Sequence, residues 1–294
     1  MLFILLACSA KPDDTALGDT AFVGDPAGMG PFAVSTQTST FEGPTETLDA
    51  IEWVPEGEGE VQTVILMPGF LATPESYAGL AEHLASWGWR VFGFTFSSNS
   101  MAEPADHDAD AVEASAALDH VLGLDRPADP DRIVFAGHSR GGKIAVLGAI
   151  RDPRVAAVVA WDPVDSGGAP CSIDPDHCND FSVAPNSYEG DTGQMAGLTV
   201  PFLLFGAPPG AANPEEHNAE RFWEGASAPA TYLRFPEGGH TDWLLDGDVA
   251  SISARTEVPW LARTLLGQSG TEPWLEGEVL AADVDAGRVE LFVK

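Results

Sequence analysis

Positive charge is what this 294-residue chain has least of. Fourteen Lys and Arg stand against 45 Asp and Glu, a formal net charge of −31, and the lysines are Lys11, Lys143 and Lys294. Such a surface repels nucleic-acid phosphates and anionic membrane surfaces, which argues against both as partners of the folded domain. Long apolar runs are missing too: nothing past the N-terminus approaches the roughly 18 residues of a membrane span. Cysteine is scarce, with three in all. No second Cys or His pair lies at metal-ligand spacing, so no metal is assigned. No fixed-period repeat points to a solenoid or propeller. What is present is an apolar fraction of 44%, enough for one sizeable core and too much for disorder. One main domain, monomeric, is the expectation.

The ends differ from the middle. Leu2 to Ala7 is apolar, and Leu5-Leu6-Ala7-Cys8 resembles the lipobox of bacterial lipoproteins. That resemblance implies a truncated signal over 1–8, lipidation at Cys8, and membrane attachment only through that anchor. No Lys or Arg precedes the apolar run and the run is short, as a start codon placed too far downstream would leave it. Residues 9–30 are polar, acidic and Gly/Pro-rich, as in a flexible tether. The main domain is expected over 31–268 and an extension over 269–294, where the alternation of Val289-Glu290-Leu291-Phe292-Val293 reads as part of an added hairpin. Cys171 and Cys178 stand in a loop rich in Asp, Pro and Ser and read as a disulfide. A disulfide requires an oxidising compartment, hence an exported protein of the cell envelope or the medium. Asp174, Asp176 and Asp180 in that loop are candidate Ca²⁺ ligands, but without EF-hand spacing a solvated acidic loop is the stronger reading.

Between the ends, strands and helices alternate. Segments near 32–41 and 48–54 read as antiparallel strands. Apolar, β-branched strands follow at Val61–Met67, Arg90–Phe96, Arg132–Ala136, Val155–Trp161, 200–205 and 230–235. Helical spacing falls at Pro74–Trp87, Asp106–Leu122, Gly141–Ile150, about 214–224 and about 249–266. This rhythm predicts an α/β fold, a mostly parallel sheet with helices on both faces and no large cap domain. Ligands in such folds sit beyond the carboxyl ends of the strands.

The chemistry-bearing residues fall there. Gly137-His138-Ser139-Arg140-Gly141 is G-x-S-x-G between a strand and a helix, the setting of a nucleophile elbow, and it makes Ser139 the candidate nucleophile of an α/β-hydrolase fold. The order expected downstream is acid, then histidine. His240 follows the strand at 230–235 and can reach back to accept the Ser139 proton. His83, His120 and His217 fall on predicted helices, His107 at the start of one and His177 in the cysteine loop; the His138 ring should point away from the reaction. Asp162, directly after 155–161, is the candidate acid, with Asp165, Glu215 and Glu216 as alternatives, because the segment after the next strand lacks a carboxylate until Glu215. Two donors must face the oxyanion. One is the Arg140 N–H; the other is the Phe70 N–H, or that of Leu71, on the turn after Val61–Met67. The Phe70 ring reads as a pocket wall over the acyl group. Trp161 is placed between pocket wall and core.

Together these segments resemble chlorophyllases: Gly-His-Ser-Arg-Gly-Gly-Lys at 137–143, Asp162-Pro163-Val164-Asp165, Asn213 to Glu220, and Gly239-His240-Thr241-Asp242. In that family the first Asp of the D-P-V-D turn is the triad acid, which implies Asp162. Pro68-Gly69-Phe70 and Phe94 to Ser100 are similar to bacterial cutinase-like polyester hydrolases. Both resemblances imply serine carboxylic-ester hydrolysis without a cofactor, on a small-molecule or polymeric ester. The competing expectations are a lipase or polyester hydrolase acting on aggregates and, in another class, an inactive surface-anchored binding protein on the same fold.

Overall fold

The computed structural model describes residues 21–100, 106–166, 194–227, 229–245 and 247–294. Cys8, Cys171 and Cys178 lie outside the described residues, as do Asp174, Asp176 and Asp180. The lipidation, disulfide and Ca²⁺ expectations therefore remain sequence readings. Among the described residues no helix is long and apolar enough to cross a membrane.

The described strands form one sheet: β1 (Val34–Glu42), β2 (Thr47–Pro55), β3 (Val61–Met67), β4 (Arg90–Phe94), β5 (Ala128–His138), β6 (Ala157–Trp161), β7 (Phe202–Gly206), β8 (Ala230–Arg234) and β9 (Glu290–Val293). Their order is β1-β2-β4-β3-β5-β6-β7-β8-β9. The six from β4 to β8 run parallel; β1, β2 and β9 are antiparallel to their neighbours. This is the α/β-hydrolase architecture. The middle strands are continuous apolar runs because both faces are covered: Val64, Ile65, Leu66 and Met67 are all buried. Successive residues feed opposite layers. Ile65, Met67 and Phe135 pack with α2 (His107–Leu122), α3 (Arg140–Arg151) and α4 (Ala219–Gly225), while Val64, Leu66 and Val134 pack with α1 (Ala78–Ser86) and α5 (Asp248–Leu266). α3 packs tightly on β5: an added Cβ on Gly148 would be 2.8 Å from the Phe135 ring.

Two expectations about the ends need correction. The segment 269–294 is not a hairpin. It forms α6 (Glu272–Leu275) and α7 (Glu278–Asp285), and β9 then pairs with β8, Tyr232 opposite Phe292 with their rings stacked 5.6 Å apart. The alternating pattern of Val289–Val293 belonged to a lone strand whose partner is the sheet edge. Buried Asp283 on α7 pins this tail, bonding Arg255 of α5 and the Arg288 Nε at 2.8 Å. Of the 9–30 tether, residues 21–30 are folded onto α1. Phe22 stacks on Trp87 at 5.2 Å, His83 Nε2 donates to the Pro26 carbonyl at 2.9 Å, and the Gly30 N–H donates to Ser86 Oγ at 2.7 Å. The helix expected from 214 starts at Ala219 instead, where the Asn218 side chain caps it by accepting the Glu220 N–H.

Candidate active site

The carboxyl ends of β3, β5 and β6 are adjacent in the sheet, and each carries a residue with an unusual backbone. Among the described residues the non-glycine positions with positive φ are Leu71 (56°), Ser139 (56°) and Asp162 (42°). For non-glycine residues that region is costly, and such strain gathers at functional sites.

Ser139 stands between β5 and α3. The turn needs its flanking glycines: a Cβ on Gly137 would lie 2.3 Å from the Gly141 carbonyl, and one on Gly141 would lie 2.0 Å from the Met67 carbonyl oxygen. The turn is held to its neighbours by the Ser139 N–H donating to the Trp161 carbonyl (3.0 Å) and by the Val164 N–H donating to the Ser139 carbonyl (3.2 Å). Its hydroxyl is 3.0 Å from His240 Nε2, and His240 Nδ1 is 2.6 Å from Asp162 Oδ2. A carboxylate only accepts, so Nδ1 carries the proton and Nε2 is free to accept from the serine.

Asp162 is fully buried. Burial pushes its carboxyl above the usual range, and its partners pull the other way: His240 first, then the Ala207 N–H and Asn213. The Ala207 N–H reaches Oδ1 at 2.9 Å and Asn213 Nδ2 reaches Oδ2 at 2.8 Å. The alternative acids are elsewhere. Asp165 is paired with the buried Lys143 ammonium at 3.0 Å, and Glu215 is exposed beside Arg221, whose Nε donates to the Glu215 carbonyl. Glu216 is half-buried on the same segment. Of the four candidates it is Asp162 that bonds His240.

The two expected oxyanion donors belong to Arg140, next to Ser139 in the chain, and to Phe70, in the turn after β3. Arg140 opens α3, so its N–H is among the first-turn donors that lack an intrahelical acceptor, where the helix also presents positive potential. Phe70 lies in the tight turn Gly69–Ala72, closed by the Ala72 N–H donating to the Gly69 carbonyl (3.1 Å). A Cβ on Gly69 would be 3.3 Å from the Ser139 Cβ, so this turn rests directly against Ser139. The Phe70 side chain is half-buried and that of Leu71 is 48% exposed. Asn99 Nδ2 holds the turn from outside by donating to the Ala72 carbonyl at 3.1 Å.

Trp161 requires correction. Its ring is wholly buried in the layer shared with α1 and α5, so it is core and not a wall of an open pocket. The Arg140 side chain also turns inward. Its guanidinium lies 4.9 Å over the Phe96 ring, 3.1 Å from Ser98 Oγ and 3.5 Å from Asp110. Burial raises the Asp110 and Glu113 carboxyls, which Arg140 opposes. With Ser98 bonded to Asp110 (2.6 Å) and the Ser97 N–H to Glu113 (3.1 Å), the 96–99 loop is tied to α2.

Site residues that sequence reasoning did not single out are Asn213, which orients Asp162, and Tyr77, whose hydroxyl meets both the Gly69 N–H (2.8 Å) and His138 Nδ1 (3.1 Å). Asn213 had a faint signal in the stretch 213–220; buried Tyr77 had none, reading as one apolar-face residue just before α1. Among the described residues no group of His, Cys, Asp and Glu is arranged to hold a metal ion.

A family model described as chlorophyllase matches residues 28–263. The chain is 26% identical over 220 residues to chlorophyllase-2 of Arabidopsis thaliana, covering 69% of this chain and 66% of that protein. It is 24% identical over 221 residues to cutinase est1 of Thermobifida alba, covering 73% and 65%. Chlorophyllase-1 of Citrus sinensis is 25% identical over 231 residues, covering 75% and 67%. The matches thus span about two thirds of the length of these relatives.

Proposed function

The chain belongs to the chlorophyllase family, and on that footing we propose that it is a carboxylic-ester hydrolase working through Ser139, His240 and Asp162. The observation that carries this reading is the position of His240, bonded at once to the Ser139 hydroxyl (3.0 Å) and to a buried carboxylate (2.6 Å).

The mechanism runs as acyl transfer to water. His240 Nε2 takes the Ser139 hydroxyl proton while Oγ attacks the ester carbonyl. The negative charge on the former carbonyl oxygen meets the Arg140 and Phe70 N–H groups. As the tetrahedral species collapses, His240 returns the proton to the departing alkoxide, releasing the alcohol and leaving Ser139 acylated. Water, deprotonated by the same nitrogen, attacks the acyl group; the carboxylic acid leaves and Ser139 regains its proton. Asp162 stays ionised throughout and stabilises the imidazolium, for which Ala207, Asn213 and His240 supply three donors against the cost of burial.

The names of the relatives join two kinds of ester, a pigment ester and a plant polyester, and the chemistry common to both is the substrate class we assign: a neutral carboxylic ester. The net charge of −31 disfavours anionic esters and speeds departure of the carboxylate product. A substrate presented by an aggregate or polymer is the second reading, favoured by the exposed Leu71 beside the nucleophile. Export rests on the sequence alone, on Leu5 to Cys8 and on Cys171 and Cys178. A fluorophosphonate probe tests the proposal. It should label the wild-type protein and not S139A, with hydrolysis of p-nitrophenyl esters lost in parallel. An unlabelled wild-type protein would favour the inert binding protein instead.

A further inference from the structure

His138, next to the nucleophile, takes no part in the acyl transfer, yet it is almost completely buried and all its polar capacity is used. Its Nε2 is 2.6 Å from the main-chain carbonyl of His240. A carbonyl only accepts, so Nε2 must carry the proton and Nδ1 must hold a lone pair. That lone pair faces the Tyr77 hydroxyl at 3.1 Å, which therefore donates to it. The tyrosine oxygen in turn accepts the Gly69 N–H at 2.8 Å. Every proton along the line has one direction: Gly69 N–H to Tyr77 O, Tyr77 O–H to His138 Nδ1, His138 Nε2–H to the His240 carbonyl.

The two ends of this line matter. Gly69 opens the turn that carries the Phe70 donor, and His240 is the base. We propose that Tyr77 and His138 are positioning residues for the hydrolysis, a buried relay of hydrogen bonds that sets the oxyanion turn and the main chain of the catalytic histidine against each other. This rests on the ester-hydrolase reading of Ser139 and His240. Burial holds His138 neutral, its pKa pushed down to about 3, and the His138 and His240 rings lie with centroids 4.7 Å apart. The His240 carbonyl fixes the proton on Nε2, so removing the Tyr77 O–H leaves the Nδ1 lone pair buried without its donor and frees the imidazole to shift against that carbonyl. The Gly69 N–H would lose its acceptor in the same step. An added Cβ on Gly69 would lie about 3.3 Å from both the Tyr77 hydroxyl and His138 Nδ1, so the turn, the hydroxyl and the imidazole meet at one tightly packed point.

The test is Tyr77→Phe, which keeps the ring and removes the hydroxyl, assayed on p-nitrophenyl butyrate with kcat expressed per active site titrated by a fluorophosphonate. A donor held out of place at an oxyanion costs a large part of what deleting it costs, so kcat per titrated site should fall about tenfold or more with KM within about twofold. The inhibition constant of butylboronic acid, which forms the tetrahedral adduct, should weaken by a similar factor, whereas a purely structural change would lower the titrated fraction only. His138→Gln retains one donor and one acceptor and should lose less than Tyr77→Phe. A per-site kcat and boronate affinity within twofold of wild type in Tyr77→Phe would overturn the inference, as would a greater loss in His138→Gln. If the wild-type protein hydrolyses no ester, the ester-hydrolase reading itself fails; an active wild type with an unaffected Tyr77→Phe sinks only the relay.

Discussion

Asn213→Ala removes one of the three donors that hold Asp162, and the consequence can be worked from the structure. The Asn213 amide is 2.8 Å from Asp162 Oδ2, and the carboxylate is fully buried. A hydrogen bond to a charged group contributes about 1.5–3 kcal/mol, and one to a neutral group about 1 kcal/mol. Burial has already raised the Asp162 carboxyl above its unfolded value. For an acid raised in the folded state, the native protein holds the proton more tightly than the unfolded chain. Its ionisation therefore costs stability as pH climbs from the unfolded pKa through the folded one, and the full cost is felt above both. Losing Asn213 raises the carboxyl further and enlarges that cost. The unfolded chain is common to both proteins, so the variant should be less stable by about 2 kcal/mol where the folded carboxyl is ionised and by about half of that where it is protonated. For a chain of this length 2 kcal/mol corresponds to a Tm change of about 3 °C. Paired thermal melts of wild type and variant at pH 8 and pH 4 measure the difference directly, and the acid limb of the activity profile should move to higher pH in the variant. A loss of Tm equal at both pH values, or larger at pH 4, would refute the reasoning, because Asn213 would then be serving the turn at Pro208, whose carbonyl it also reaches at 3.1 Å, and not the charge on Asp162.

Other perturbations follow from the same structure. Gly141→Ala should yield protein without esterase activity and with a markedly lower Tm, since its Cβ would be 2.0 Å from the Met67 carbonyl oxygen and 2.6 Å from that of Pro68, both of them backbone. Asp283→Ala leaves Arg255 and Arg288 without their shared buried carboxylate. It should cost about 1–2 kcal/mol in urea unfolding, because charge-assisted bonds are lost while both arginines are partly exposed and regain water. Raising NaCl from 0.05 M to 1 M should raise Tm, since 45 acidic residues against 14 basic ones repel one another and salt screens that repulsion; a Tm that falls would contradict it.

The parts of the molecule legible in the sequence are those whose cause is local. A strand buried on both faces is written as an unbroken apolar run, and Ser139 announces itself because the elbow's steric demands fall on Gly137 and Gly141, two residues either side. Asp162 ranks first by its place after β6 and by the likeness of its D-P-V-D turn to chlorophyllases; what separates it structurally from Asp165 is that Lys143 already occupies the latter, a contact across two elements. Trp161 was expected near the pocket because it precedes the acid in the chain. Adjacent residues on a strand face opposite layers, however, and in a sheet covered on both sides the neighbour of a site residue is core. The tail misled for a related reason: one alternating strand implies a partner, and the partner was β8, far away in sequence and not the next segment. Asn213 and Tyr77 act on residues 51 and 61 positions away, beyond the reach of any local pattern.

The central claim, that Ser139 carries the acyl group between ester and water, is met most directly by trapping that intermediate. Wild-type protein mixed with excess p-nitrophenyl butyrate and quenched in acid within the first turnover should show a burst of p-nitrophenol. Peptide mass spectrometry should then find a butyryl group on the peptide containing Ser139, and none there in the S139A variant. A butyryl group on another residue, or hydrolysis undiminished in S139A, would contradict the account.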